Sequence, residues 1–181
     1  MTSPDLGEVF LEKEIKMLAE KLIMELQFEA VSARKMLERL PNEKLDWKPH
    51  EKSMSLGRLG THLVEMMGFL TKILTTDEFN FMTDYSVFTA ATTEEIVTGF
   101  DKKLAEAIAT LQKTSDEQLM QQNWTARMGD QVVASMPRVG AVRGFAISHF
   151  IHHRGQMSVY LRMLDIAVPS IYGPSADEAA A

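Results

Sequence analysis

The sequence predicts an all-α protein, a four-helix bundle. Two observations carry this. Apolar residues recur at steps of three and four over four separate stretches, which is helical periodicity. Breakers such as Pro41-Asn42 and Val168-Pro169 stand at their ends. A chain of 181 residues is expected to form one domain with a substantial core.

The first helix is placed at about 9–40, on the stripe Ile15, Leu18, Leu22, Leu26, Ala30, Ala33, Leu37 and Leu40. The second is placed at 55–75, with Ser55 as its N-cap and Leu56, Leu59, Leu63, Met66, Leu70 and Ile73 inward. His62 falls three residues after Leu59 and four before Met66, so it belongs on or beside that buried face. The third, at 92–114, opens on a capping box of Thr92 and Glu95, and Ile96, Phe100, Leu104, Ala107 and Leu111 continue it. The fourth follows Pro137 and is placed at 138–166, where Val142, Ala146, His149, His153, Met157, Tyr160 and Leu164 share a face. The connections Pro41–Met54, Thr75–Ala91 and Gln118–Arg138 are expected to be irregular and hold Trp47 and Trp124. A short extended piece is possible at Gln131-Val-Val-Ala, and an irregular tail runs to residue 181.

Composition narrows the function. No run of about 18 apolar residues exists, so no membrane span is expected. The first residues lack a signal-peptide pattern, and the chain holds no cysteine, which together suggest a cytoplasmic protein. A formal charge of -6 argues against electrostatic binding of nucleic acid or anionic lipid. The 13 methionines, Met66, Met67 and Met157 among them, read as soft core filler.

Chemistry is signalled by histidine. His149 and His153 are four apart, so on a helix they face the same way. With His62 from the second helix they make a three-imidazole set that suits a divalent transition metal and leaves coordination positions open. Zinc and nickel are the first choices, with iron or manganese as alternatives. Glu65 and Gln156, each three residues beyond one of these histidines, are candidate catalytic or supporting groups. His152 points about 100° away from His153 and is read as a peripheral or surface group, while His50 lies in a loop.

The segment His149-Phe-Ile-His-His-Arg-Gly-Gln-Met-Ser-Val-Tyr-Leu-Arg162 closely resembles the DinB family, the DinB/YfiT-like metalloenzymes. The tail Val168-Pro-Ser-Ile-Tyr-Gly-Pro-Ser-Ala-Asp-Glu178 and the stretches Lys44–His50 and Ser55–His62 extend the likeness to nearly the whole chain. The resemblance implies up-down-down-up connectivity, a homodimer, and a divalent metal held at His62, His149 and His153. Related bundles include thiol S-transferases and thiol-dependent isomerases. The resulting expectation is a metal-dependent transferase that brings a small-molecule thiol to an electrophilic substrate. The alternatives are a hydrolase using metal-bound hydroxide, with Glu65 as base, and a non-catalytic metal-binding protein related to stress.

Overall fold

Helix α1 (Met17–Leu37) buries Ala19, Leu22, Leu26, Ala30, Ala33, Met36 and Leu37, so the three-four spacing of its sequence becomes one inward stripe. The computed structural model describes residues 17–178, and Ile15 with the rest of the expected first turns lies outside them. A single 3₁₀ turn, Asn42–Lys44, follows the break at Pro41.

Helix α2 (Leu56–Thr75) starts where Ser55 Oγ accepts the Arg58 N–H at 3.2 Å. Its first turn is fixed by the preceding loop, since Leu56 and Gly57 donate to the carbonyls of Trp47 and Leu45. Helix α3 (Thr93–Leu111) uses only half of the expected box. Thr92 Oγ1 accepts from Glu95 N–H, while the Glu95 carboxylate reaches one residue further back, to Ala91 N–H at 2.7 Å. Short helix α4 (Asp116–Gln121) has the full reciprocal box, between Ser115 and Gln118.

The last helical run has three parts: α5 (Arg138–Ala141), a π-helical segment (Val142–Ile147) and α6 (Ser148–Met163). Ser148 N–H donates to the Arg143 carbonyl, five residues back, which is the π pattern. Each long helix packs on two others: α1 on α3 and α6, and α2 on α3 and α6. Fully buried Leu63, Met67, Ile96, Phe100, Phe150 and Leu161 lie between them.

The all-α expectation requires a correction. The protein is mainly helical but carries a three-stranded sheet in the order β1 (Glu78–Asn80), β2 (Asn123–Met128), β3 (Gln131–Pro137). Strands β1 and β2 pair parallel, β2 and β3 antiparallel, with a bulge at Ala126/Arg127. Gly129, at φ +61°, supplies the positive φ that the two-residue hairpin turn needs. The Asn80 amide clasps that turn, accepting from Gly129 N–H at 3.0 Å and donating to its carbonyl at 3.1 Å. Two of the three connections expected to be irregular, Thr75–Ala91 and Gln118–Arg138, therefore contribute strands, and the extended piece expected at Gln131 belongs to β3. Trp124 is fully buried in β2, 5.8 Å from the Phe69 ring and 5.7 Å from Phe145. Trp47 packs edge-on against Tyr160.

Two buried arginines tie the helices together. Arg138 donates to the Ile73 and Thr76 carbonyls at the end of α2, satisfying C-terminal groups that the helix leaves open, and to Asp77 at 2.6 Å. Arg154 on α6 pairs with Glu29 of α1 and also reaches Ser32 Oγ and the Tyr172 hydroxyl. Tyr172 belongs to the tail, stacks on Phe28 and donates to Glu29 at 3.0 Å, so the tail is packed against α1. No helix among the described residues is long and apolar enough to cross a membrane.

Candidate metal centre

The facing surfaces of α2 and α6 bring three imidazoles together. One ring nitrogen from each of His62, His149 and His153 lies within 4.8 Å of the other two. His62 and His153 are buried, and His149 is half-buried at the edge of a cavity. His149 and His153 approach most closely, Nε2 to Nε2, at 2.7 Å.

The opposite nitrogens are already engaged. His62 Nδ1 lies 2.8 Å from Glu65 Oε2, and His153 Nδ1 lies 2.7 Å from Gln156 Oε1. A ring whose Nδ1–H donates to a carboxylate or amide oxygen presents a bare Nε2 to the centre. Such outer contacts fix both tautomer and ring orientation in metal sites.

Electrostatics favours the uncharged form of His149 and His153. Burial pulls the His153 imidazole down to about 4, outweighing the upward effect of its bond to Gln156, and the neighbouring histidines push the same way as burial. Burial also lowers His149, and the neighbouring His62 pushes the same way. Neutral imidazoles are what a metal requires. The cluster is compatible with a divalent metal site.

Glu65 is the most heavily engaged group around this site. Oε2 accepts from His62, from Arg58 at 3.0 Å and from the Tyr85 hydroxyl at 2.7 Å, and Oε1 accepts from Phe88 N–H at 2.8 Å. Burial alone raises its carboxyl, but these four donors hold it at about 2. Desolvation and the adjoining Glu65 carboxylate raise the Tyr85 phenol.

The cavity beside the histidines measures about 660 Å³, within the range of small-molecule sites. His62 and His149 form part of its wall, and Phe69, Phe79, Phe81 and Phe145 supply an aromatic lining. Phe88 closes one side, with its ring over Gly99 of α3, where a Cβ would stand 2.5 Å from the ring tip.

Of the residues singled out in the sequence, His62, His149, His153, Glu65 and Gln156 are brought together. His152 is exposed, its ring beside His153 but outside the cluster. His50 is exposed in its loop and accepts from Lys52 N–H. Arg58, Tyr85 and Phe88 were missed. Arg58 precedes Glu65 by two helical turns on one face, a readable signal, whereas Tyr85 and Phe88 arrive from a loop with none.

Comparison with known proteins accords with the fold. The chain is 29% identical over 152 residues to "Uncharacterized protein YrdA" of Bacillus subtilis (strain 168), covering 84% of this chain and 86% of that protein. The crystal structure of a DinB-like protein from Bacillus cereus ATCC 10987 superposes with a TM-score of 0.66 at 25% identity, over 84% of this chain and 97% of that one. A DinB-like protein of Bacillus subtilis, YjoA, shares the fold with a TM-score of 0.67 at 16% identity, over 85% and 98% of the two chains. The DinB family model matches residues 14–181, and the chain belongs to the DinB family.

Proposed function

We propose that this protein is a metal-dependent transferase that activates a low-molecular-weight thiol, with His62, His149 and His153 as the ligands of one divalent ion. The observation that carries the reading is the convergence of three ring nitrogens within 4.8 Å at the wall of an apolar cavity. The donor set fits such an ion. Two of its rings, His62 and His153, are buried and oriented through Nδ1, and three imidazoles leave open positions that suit zinc or nickel, or else iron or manganese.

When bound, an ion of this kind supplies positive charge that favours the thiolate form of a thiol. The chain's own residues do the rest. Glu65 and Gln156 hold the His62 and His153 rings. The phenylalanines exclude water and seat the electrophile, as a mostly apolar pocket does. With no cysteine in the chain, the reacting sulfur comes from the small-molecule thiol. In the inferred reaction the thiol proton passes to solvent, a carbon–sulfur bond forms, and the leaving group departs with the electron pair of its bond to that carbon.

Hydrolysis with Glu65 as base is the weaker reading. Both Glu65 oxygens are occupied, and a carboxyl held at about 2 is a poor proton acceptor near neutral pH. The up-down-down-up bundle, the homodimer and the cytoplasmic location belong to the same proposal. Exposed Met24 and Val31 on α1 offer an apolar face for a second copy.

The test is elemental analysis of tag-free protein beside His153→Ala, followed by a thiol-consumption screen with the metal found. About one ion per chain, lost in the variant along with thiol transfer, supports the proposal. Absence of metal after addition of zinc or nickel overturns it.

A further inference from the structure

Among the described residues, the cavity beside the histidines holds four charged groups, Glu65, Asp84, Lys72 and Lys103, and they are not equivalent. Both carboxylates are hydrogen-bonded within the protein, and Lys72 also helps the Asn80 N–H to lower the Asp84 carboxyl. Glu65 accepts from four donors. Asp84 accepts from Asn80 N–H at 2.8 Å through one oxygen and from the Thr83 hydroxyl at 2.8 Å through the other.

The lysines are more available. Lys72 is exposed in the last turn of α2 and has no carboxylate within ion-pair distance among the described residues. Lys103 comes from α3 and lays its aliphatic stem over Gly68 of α2, where a Cβ would meet its Cδ at 3.5 Å. Its ammonium pairs with Glu106 at 2.7 Å, but both partners are well exposed, and such pairs are weak enough to be exchanged for a better anion. The stem covers apolar surface while the charge stays at the rim.

The same cavity carries an aromatic lining. Phe69, Phe79 and Phe81 meet edge to face or tilted, with centroids 5.0 to 5.7 Å apart. A flat ring can extend such an array in the same geometry.

We infer that the cavity takes a planar aromatic compound bearing an anionic group, its ring among Phe69, Phe79 and Phe81 and its charge at Lys72 and Lys103. This deepens the proposed function by naming the substrate class of that same site, and it rests on that reading for the claim that the compound is the electrophile. A divalent ion held by the three imidazoles would keep its full charge and would add to the field on such an anion.

The experiment compares two fluorescent probes of one shape, anilinonaphthalene sulfonate and its uncharged parent phenylnaphthylamine, on the full chain with metal and after chelation. The expected result is a single saturable site that holds the sulfonate about tenfold tighter than the parent at low salt, the effect of about one charge-assisted contact. The preference should shrink as salt rises. It should vanish in the double variant Lys72→Met, Lys103→Met, with the parent's affinity unchanged. Equal affinity of the two probes in the unaltered protein, or a preference that survives in the double variant, overturns the inference. Because the preference is read on chelated protein too, it stands or fails separately from the metal. A lysine-dependent preference in a chain that never binds an ion supports the anion site while the transferase reading falls.

Discussion

The carboxylate of Glu65 and the imidazole of His62 meet at 2.8 Å, and the same Glu65 oxygen also accepts the Tyr85 hydroxyl. One side chain thus orients a candidate ligand and fastens a wall of the cavity. Glu65→Ala should lower zinc affinity about 10- to 100-fold, the usual effect of removing a contact behind a ligand. Calorimetric titration checks this, with circular dichroism to confirm the helical fold. Undiminished affinity would show that His62 needs no such support.

Protonation gives a second expectation. Folded His153 takes a proton only near pH 4, and its ordinary value is 6.5. Between those values the unfolded chain binds more protons, so folding stability rises with pH across the window. In metal-free protein this group should therefore cost nothing above about 6.5 and destabilise the fold progressively as pH falls toward 4. Glu65 adds a lower window. With its carboxyl at about 2 instead of 4.5, its contribution is present above 4.5 and lost as pH falls toward 2. Urea melts across both windows check the signs, and His153→Ala should flatten the upper one.

The Glu29–Arg154 pair is buried on both sides and joins α1 to α6. Arg154→Met leaves a buried carboxylate with only the Tyr172 hydroxyl to offset its charge, and should destabilise by about 3–5 kcal/mol. The tail should loosen with it, because Tyr172 loses both its bond to the guanidinium and the cation–π contact 5.0 Å from its ring. Denaturant midpoints and limited proteolysis near Tyr172 measure the two effects.

Gly99→Ala tests the cavity wall. Alanine suits a helix better by about 1 kcal/mol, but its Cβ would overlap the Phe88 ring. The ring must leave its notch, which weakens the bond from Phe88 N–H to Glu65. Amide exchange at Phe88 should accelerate while the α1–α6 contacts stay protected.

The proposed homodimer predicts that Met24→Glu with Val31→Glu yields a monomer by sedimentation, with metal content unchanged. Both side chains are exposed on α1, so the substitutions should leave the fold intact. A dimer surviving them would place the interface on another face.

Much of the helical framework and the histidine set were legible because their signals are local. Ser55 caps α2 as its type and place require, and an i, i+4 pair needs only one helix to be aligned. The expected helix ends at residues 40, 114 and 166 overshoot by three, since Leu40, Thr114 and Leu164 close final turns with hydrogen bonds three residues back. Helix α4 was readable from Ser115 and Gln118 but went unread. The sheet was not readable. Strand β1 has three residues, and its parallel partner β2 lies more than 40 residues along the chain. Pairing at that distance leaves no periodic trace in either segment. Tyr85 and Phe88 escaped for the same reason, since only the fold brings their loop to Glu65.

The π-helical segment gives the last helix two independent phases. In an unbroken α-helix the spacing of Val142, Ala146, His149 and His153 would put all four on one face. The wider turn at Val142–Ile147 offsets the two halves from that common face, and Val142 and Ala146 are fully buried while His149 and His153 stand at the histidine cluster. The segment works as a phase shifter, letting one half answer to the core and the other to the histidine cluster.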